Sequence, residues 1–494
     1  MQATLAQLLT AIPGATFVPG AVHGAANAAN AAAPAANPAA AGAVSFDGVS
    51  TDSRSAPAGS LFVALRGENF DAHDFLLDGP SAVASKGVAA VVAERLPAGW
   101  TLPALLVPDT LAALGRIANY WRKQYALPVI GVTGSNGKTT VKEMISAILA
   151  AAHGEDGRLA TRGNLNNEIG VPLTLFRLSA AHQSAVIEMG MNHPGEIGRL
   201  SAIAEPTIAM VNNAQREHQE FMHTVEAVAR ENGAVLAGLA ADGVAVFPQH
   251  DEFTPIWREL AAGRRTLTFG LSKEANVSCT YRAGDFGNQM FITVHEGDGA
   301  AAAEPLQFYV ALQAAGDHNV LNALAAVACT YAAGISAEHI KLGLDTFAPV
   351  SGRLQKKAAV NGAVVIDDSY NANPDSVRAA IDVLAKAAAP RVLVLGDMGE
   401  VGAQGREFHE EIAAYAASKQ LEHVFVTGEL ARFMSQPGAA GNIQHFEEFD
   451  ALLSAVEAAA TPDATVLIKG SRFMKMERVV QHLIGSQQAN KGTH

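Results

Sequence analysis

The chain is poor in cysteine and has no long apolar run. Its 494 residues include only two cysteines, Cys279 and Cys329, so a disulfide framework is not expected and a reducing compartment is favoured. No apolar stretch reaches the roughly 20 residues that span a bilayer, and the N-terminus lacks the positively charged region of a secretion signal. These absences predict a cytoplasmic protein without stable membrane insertion.

Excess positive charge is also missing. The formal net charge is −13 at pH 7, and a surface of that sign repels a polyanion, which argues against nucleic acid as a partner. An anionic ligand would therefore need locally placed Lys, Arg and backbone N–H groups. The remaining composition, 49% hydrophobic and 17% charged residues, suits a globular enzyme.

The length and the order of the patterns predict three domains. A chain of 494 residues is too long for a single core. A predicted helix around 110–125, followed by Pro128, marks the first boundary. Strand and helix patterns alternate after it, which predicts parallel sheets covered by helices. We expect α/β domains at 1–126, 127–348 and 349–494.

Residues 20–43 consist almost entirely of Ala, Gly, Asn and Pro. Such a composition buries too little apolar surface to offset the entropy that is lost on ordering. We therefore predict a flexible insertion here, inside the first domain.

The most informative segment is glycine-rich and reads GVTGSNGKTT at 131–140. An apolar, strand-like run precedes it and a segment with helical spacing follows, so its backbone N–H groups are expected to form a nest for phosphate oxygens. Lys138 would reach the β- and γ-phosphates of a nucleotide, and the Thr139 hydroxyl would ligate Mg²⁺. Val132 replaces the first glycine of the strict motif, so the alternative is a glycine-rich turn with a chance Lys-Thr pair. The predicted ATP-binding residues of this loop are Gly134, Ser135, Asn136, Gly137, Lys138, Thr139 and Thr140.

Polar residues also end other apolar strands. Glu188 ends one, and Asn212 and Asn213 end another; ligands of parallel sheets bind at such carboxyl ends. Mg²⁺ prefers oxygen ligands, and His218 is a further polar group just past a strand end. A helix cap (for Glu188) and a surface loop (for His218) are the alternatives. The predicted metal ligands are Thr139, Glu188 and His218, and the predicted catalytic residues are Lys138, Glu188 and His218.

Two later clusters carry amide and carboxylate groups. Asn319 and Asn322 lie three residues apart and so share a helical face, where they would either read an adenine edge or cap the helix. The segments 351–355 and 367–376 contain Arg353 and several Asp and Asn residues. They would hold ribose and phosphate, or form an Asx-rich turn and a helix cap.

Taken together, these motifs resemble the Mur ligase family of ATP-dependent amide ligases. The resemblance covers essentially the whole chain apart from the alanine-rich insertion. Its motifs, in addition to the phosphate loop, lie at 51–54, 61–75, 163–172, 188–197, 316–319, 367–376, 396–400 and 469–472. The sequences DDSYNANP, from Asp367, and GDMGE, from Gly396, point to the family member that adds D-alanyl-D-alanine.

The resemblance implies a small α/β domain that binds UDP, a central P-loop parallel-sheet ATPase domain and a C-terminal Rossmann-like α/β domain. It implies UDP-N-acetylmuramoyl-tripeptide and D-alanyl-D-alanine as substrates and ATP and Mg²⁺ as cofactors. We expect a monomer. The matching positions extend the ATP site by Asn167, Asn319, Arg353 and Asp368. The positions matched to substrate binding are Ser53, Arg54, Asn164, Asn371, Asn373, Lys469 and Ser471.

One departure from the family pattern concerns a metal ligand. Most relatives carry a carbamylated lysine in the helix after the His218 loop, and Asn232 stands at the matching position. No lysine occurs between Lys142 and Lys273, so a shift of register supplies none. Water, Glu231 or another carboxylate would compensate, or the second metal would bind more weakly.

Two other functions remain open on the sequence. The first is a different amide ligase of the family, such as the diamino-acid-adding enzyme or folylpolyglutamate synthetase, in which the residues after Asp368 would differ. The second is a nucleotide switch that hydrolyses ATP without ligation. A switch would not need the segment 51–75.

Overall fold

The structure is a computed structural model that describes residues 1–20, 38–79, 81–284, 286–295, 304–435 and 442–485. Its strands are β1 Gln2–Thr4, β2 Thr16–Val18, β3 Ser45–Asp47, β4 Val49–Ser50, β5 Leu61–Val63, β6 Ala90–Ala93, β7 Ala104–Leu106, β8 Val129–Thr133, β9 Arg158–Ala160, β10 Ser184–Glu188, β11 Ile208–Val211, β12 Val244–Pro248, β13 Arg265–Phe269, β14 Val277–Ala283, β15 Asn288–Val294, β16 Leu306–Leu312, β17 Gln355–Ala358, β18 Val364–Asp368, β19 Arg391–Gly396, β20 His423–Thr427, β21 Ile443–Phe446 and β22 Thr465–Lys469. Its α-helices are α1 Leu5–Ala11, α2 Pro38–Gly42, α3 Thr110–Arg122, α4 Lys138–His153, α5 Gly170–Leu175, α6 Glu196–Ala204, α7 Gln219–Met222, α8 Val225–Ala237, α9 Thr254–Leu260, α10 Asp317–Ala332, α11 Ala337–Thr346, α12 Pro374–Ala385, α13 Gly405–Ser418, α14 Phe449–Ala459 and α15 Glu477–Ile484.

Two compact units make up the chain, and the first contains a five-stranded sheet. This unit comprises Met1–Gly131, Asp156–Met189 and Gly198–Pro206. The sheet has the order β2-β7-β6-β5-β4, in which β4 to β7 are parallel and β2 is antiparallel to β7. Its strands are apolar and short, and Phe62 and Val91 are fully buried in a cluster with Leu76 and Val83. The predicted helix at 110–125 is confirmed as α3, which Asp109 caps.

The second unit comprises Val132–Glu155, Gly190–Ile197 and Thr207–His494. In its first sheet β11, β12, β13 and β14 run parallel, and β14, β15 and β16 form an antiparallel meander. Continuous apolar runs such as Ile208–Val211 are fully buried, as expected for strands that helices cover. Helices α10 and α11 pack on α4, the helix that follows the phosphate loop.

A second sheet of this unit has the order β17-β18-β22-β19-β20-β21. All neighbouring strands are parallel except β17, which is antiparallel to β18. One face packs apolar residues from α12 and α13, and the other packs those from α14 and α15. Helices on both faces make this a doubly wound sheet, and the carboxyl ends of β18, β19 and β22 therefore meet at one edge.

The predicted α/β class with parallel sheets is confirmed. The boundaries at 1–126, 127–348 and 349–494 stay predictions. Of the predicted insertion at 20–43, residues 21–37 lie outside the described residues. At its end, Pro38–Gly42 form α2 and Ala41 is fully buried, and the flexibility of the insertion stays a prediction. No helix in the part of the chain that the structure describes is long and apolar enough to cross a membrane.

Candidate active site

The phosphate loop joins β8 to α4, as the sequence predicts. β8 ends at Thr133 and α4 begins at Lys138. Gly134 and Gly137 have φ values of +132° and +84°, which L-amino acids with side chains rarely adopt. A Cβ atom at Gly137 would lie 2.4 Å from Asn322 Oδ1 and 2.5 Å from Asn212 Nδ2. The turn thus needs glycine for its backbone conformation and for the close approach of these amides.

Side-chain amides anchor this loop to its surroundings. The backbone N–H of Asn136 donates to Asn213 Oδ1 at 2.9 Å, and its carbonyl accepts from Asn212 Nδ2 at 2.8 Å. Asn212 Nδ2 also donates to Asn322 Oδ1 at 2.8 Å, and Asn322 Nδ2 donates to Asn319 Oδ1 at 3.0 Å. The strand-end asparagines and the helical asparagines form one network that fixes the loop.

The alternative role of Asn319 and Asn322 as helix caps is wrong. Gly316 is the N-cap of α10, without a side-chain hydrogen bond. Asn319 is 6% exposed, and its Nδ2 donates to the carbonyl of Ala315 at 2.7 Å. Its adenine contact stays a prediction.

Lys138 is folded onto the loop and paired with Glu217. Its Nζ donates to the carbonyl of Ser135 at 3.0 Å and to Glu217 Oε1 at 3.0 Å. Glu217 is only 6% exposed, so this ion pair is shielded from water. Sequence reasoning did not find Glu217, although it directly precedes His218 in the loop after β11.

His218 lies between two carboxylates. Its Nδ1 is 2.7 Å from Glu400 Oε2, and its Nε2 is 3.3 Å from Glu217 Oε1. Burial alone would lower the pKa of His218, but the two carboxylates outweigh burial and raise the pKa to about 9. A protonated imidazole has no lone pair to give a metal. The metal-ligand role of His218 stays a prediction that requires loss of this proton.

Glu188 and Thr139 occupy the two units separately. In the first unit, Glu188 ends β10, is 1% exposed, and accepts a hydrogen bond from Asn166 Nδ2 at 2.8 Å. In the second unit, Thr139 lies in the first turn of α4 and is buried. Their roles as Mg²⁺ ligands stay predictions. Among the described residues, no group of three or more His, Cys, Asp or Glu side chains forms a ready metal cage.

Asn232 stands where most relatives carry a lysine, and Glu231 is the carboxylate expected to compensate. Both side chains form hydrogen bonds within the protein. Asn232, 1% exposed, accepts hydrogen bonds at Oδ1 from Thr133 Oγ1 at 2.6 Å and from the N–H of Gly134 at 3.1 Å. It thus braces the phosphate loop. Glu231 accepts from the N–H groups of Gly195 at 2.8 Å and Ile197 at 2.9 Å. Both of its oxygens therefore serve the N-terminus of α6, where an anion is favourable.

The predicted residues at the ends of β18 and β22 come together. Asp368 Oδ2 accepts from Lys469 Nζ at 2.6 Å, and Lys469 also donates to the carbonyl of Asn371 at 2.9 Å. Ser471 Oγ donates to the carbonyl of Ala372 at 3.3 Å. Lys469 and Ser471 thus hold the chain at 368–372 in place. Their contact with the dipeptide stays a prediction.

Arg353 contributes a planar cation to the same edge. Its guanidinium carbon lies 4.4 Å from the centre of the Tyr370 ring, which is within cation–π distance. Asp368 accepts the N–H of Leu354 at 3.1 Å, so the loop that carries Arg353 is tied to this carboxylate.

Arg216 links the loop after β11 to the helices of the last sheet. Its guanidinium contacts both oxygens of Asp375, the nearest at 2.7 Å, and Glu411 Oε2 at 2.6 Å. Arg378 supplies a second cation to Glu411 at 3.0 Å. The sequence contains no signal for this cluster, because its members are 159 and 195 residues apart from Arg216.

The remaining predicted residues lie in the first unit. Arg54 is exposed and forms an ion pair with Asp52 at 2.8 Å, and Ser53 stands between them. Asn167 Oδ1 accepts the N–H of Gly170 at 2.9 Å, at the start of α5. Asn164 is exposed in the loop before it. Substrate and adenine contacts of these residues stay predictions.

This chain is similar to known proteins over most of its length. Residues 132–330 match the Mur ligase middle domain, and residues 352–472 match the Mur ligase glutamate ligase domain. UDP-N-acetylmuramoyl-tripeptide–D-alanyl-D-alanine ligase of Escherichia coli (strain K12) is 36% identical over 442 residues, which cover 89% of this chain and 94% of that protein.

Solved structures show the same fold. A crystal structure of MurF from Acinetobacter baumannii has a TM-score of 0.84 and 33% identity, and the match covers 98% of this chain and 99% of that one. MurF ligase from Thermotoga maritima, solved in complex with ADP, has a TM-score of 0.76 at 24% identity. That match covers 90% of this chain and 98% of the other.

Proposed function

Because this chain belongs to the Mur ligase family, we propose that it is the ATP-dependent ligase that adds D-alanyl-D-alanine to UDP-N-acetylmuramoyl-tripeptide in peptidoglycan precursor synthesis. ADP and phosphate are the other products. The observation that carries the proposal is the phosphate loop at 134–140, in which Gly134 and Gly137 have positive φ and Lys138 folds back onto the loop.

The reaction proceeds by carboxyl activation. A terminal carboxylate oxygen of the tripeptide attacks the γ-phosphorus of ATP, which gives an acyl phosphate and ADP. The amine of D-alanyl-D-alanine attacks the acyl carbon, and phosphate leaves with the former carboxylate oxygen. Lys138 supports the first step when it turns from Glu217 to the β- and γ-phosphates, because a fixed cation stabilises the charge that develops there.

Oxygen donors suited to Mg²⁺ occur in each of the two units. Thr139 and Glu188 offer the hydroxyl and carboxylate ligands that the ion prefers, and it normally keeps several waters and substrate phosphates, so no complete protein cage is needed. Mg²⁺ would supply charge neutralisation on the transferred phosphoryl group. His218 would join these ligands only after it has lost its proton.

We assign the other predicted residues to the substrates by region. Ser53, Arg54 and Asn164 would hold the UDP-linked precursor, and Asn371 and Asn373 would lie near the incoming dipeptide. Arg353 and Asp368, with Asn167 and Asn319, would hold ATP. The ordered chain at 368–373 supports this assignment because Lys469 keeps its carbonyl and carboxylate groups in one arrangement.

A phosphate-release assay tests the proposal. Purified protein receives ATP and Mg²⁺, with the UDP-tripeptide and D-alanyl-D-alanine added singly and together. We expect sustained phosphate release only with both substrates, and a loss of at least ~100-fold in the Lys138→Ala variant, the scale for one preorganised electrostatic group. Release that is independent of the peptide substrates would indicate a nucleotide switch instead.

A further inference from the structure

Glu217 is a buried carboxylate with one oxygen engaged and the other unsatisfied. Oε1 lies 3.0 Å from Lys138 Nζ and 3.3 Å from His218 Nε2. Oε2 is buried and has no hydrogen-bond partner among the residues that the structure describes. Buried carboxylate oxygens are nearly always paired, so Oε2 is available to a ligand that enters beside the phosphate loop.

The charge balance of the loop identifies that ligand as a cation. When Lys138 moves to the β- and γ-phosphates, Glu217 loses its nearest cation and keeps only His218, 3.3 Å from Oε1, while anionic phosphate oxygens enter the loop beside it. Two neighbouring anions that are both shielded from water repel each other strongly. A divalent cation between them removes the repulsion, and carboxylate and phosphate oxygens are the ligands that Mg²⁺ prefers.

Other carboxylates near this loop are less suited to the role. Glu231 uses both oxygens on the N-terminus of α6, and Glu400 is half-exposed and pairs with His218. Asn232 is neutral and its Oδ1 already accepts two hydrogen bonds from the loop. Among these four side chains, only Glu217 combines a full charge, burial and an unsatisfied oxygen.

We infer that Glu217 is a ligand, directly or through one water, of the divalent cation that enters with ATP. This inference rests on the proposed function, because it assumes a nucleotide in the phosphate loop. Glu217 then has two partners in turn: Lys138 before the nucleotide binds, and the metal afterwards. Because the Asn232 amide is neutral, the metal would instead be bound by a nearby carboxylate, which we identify as Glu217.

Mn²⁺ binding measured by electron paramagnetic resonance tests the inference without turnover. The full chain is titrated with Mn²⁺ at saturating ADP, and free Mn²⁺ is read from its signal. We expect Glu217→Gln to weaken Mn²⁺ binding about tenfold or more, as is typical when a metal site loses a supporting group. Glu217→Asp, which keeps the charge, should bind Mn²⁺ more tightly than Glu217→Gln.

Glu220→Gln is the matched control, because Glu220 is exposed in α7, three residues further along the chain, and its loss changes the net charge equally. It should bind Mn²⁺ like the unmodified chain. Equal Mn²⁺ affinity of Glu217→Gln and the unmodified chain would overturn the inference and leave Glu217 as a counter-ion of Lys138. If the unmodified chain binds no Mn²⁺ with ADP, the proposed nucleotide site fails as well, so the two failures are distinguishable.

Discussion

Asn136 of the phosphate loop and Asn373 at the start of α12 exchange two hydrogen bonds. Asn373 Nδ2 donates to Asn136 Oδ1 at 2.9 Å, and Asn136 Nδ2 donates to Asn373 Oδ1 at 3.3 Å. Asn373 Oδ1 also accepts the N–H of Ser376 at 2.8 Å and so caps the helix. One side chain therefore starts a helix of the last sheet and contacts the loop that we assign to ATP.

Asn373→Asp separates these two roles. The aspartate keeps an acceptor for Ser376 but cannot donate to Asn136, so an oxygen then faces an oxygen. We expect the KM for ATP to rise roughly fivefold, which corresponds to about 1 kcal/mol for one hydrogen bond, with little change in melting temperature. Asn373→Ala also loses the cap and should lower the melting temperature. An unchanged KM for Asn373→Asp would show that the contact does not support ATP binding.

Gly137→Ala should abolish nucleotide binding. Its Cβ would lie within 2.5 Å of the Asn212 and Asn322 amides, so the network that shapes the loop must move. Gly154→Ala is the control at the other end of α4, where φ is also positive, +75°, but nothing lies within 4 Å. It should lower the free energy of unfolding by about 1–3 kcal/mol, because φ +75° with ψ 169° is a conformation that residues other than glycine rarely adopt. Calorimetric titration with ADP distinguishes the two; similar ADP affinity in both variants would contradict this account.

The Arg216–Asp375 pair should couple measurably. Both side chains are largely shielded from water, and the contact is bidentate, so we expect a coupling free energy of about 1–2 kcal/mol in a double-mutant cycle on urea unfolding. The exposed pair Arg406–Glu410 serves as the control and should couple by less than about 0.5 kcal/mol. Equal coupling in the two cycles would contradict the proposed strength of the Arg216 contact.

Stability of the metal-free protein should fall above neutral pH because of His218. Its pKa is raised from 6.5 to about 9, so the stabilisation from its charge is complete below pH 6.5 and is lost as the pH rises through about 9. Glu400→Gln removes one of the two carboxylates and should flatten this decline in the free energy of unfolding. Identical pH curves for the variant and the unmodified chain, measured in EDTA, would refute the pairing with Glu400.

Local features of the site were predictable from the sequence. The phosphate loop and the strand-end residues Asn212 and Asn213 follow from short patterns of glycine, apolar and polar residues. Lys469 ends β22, and its partner Asp368 is 101 residues away in the sequence. Which charged groups meet across such separations depends on the packing of sheets, which single-sequence patterns do not report.

The least predictable residues are those whose role depends on contacts that form only in the folded chain. Asn232 was identified only as a missing lysine, whereas the structure makes it a brace of Gly134. No sequence pattern marks Glu217 as functional, because single carboxylates are common in polar loops. The end of the alanine-rich insertion forms a helix because Ala41 finds a buried environment, and composition alone does not reveal such an environment.

Transfer of ¹⁸O from the tripeptide tests the central claim most directly. The UDP-tripeptide is labelled with ¹⁸O in its terminal carboxylate and incubated with ATP, Mg²⁺, D-alanyl-D-alanine and the full chain, and the released phosphate is analysed by mass spectrometry. Because one carboxylate oxygen becomes the bridging oxygen of the acyl phosphate and leaves with phosphorus, we predict one ¹⁸O atom in each phosphate formed from fully labelled substrate. Phosphate that carries no ¹⁸O, while product still forms, would contradict carboxyl activation by this enzyme.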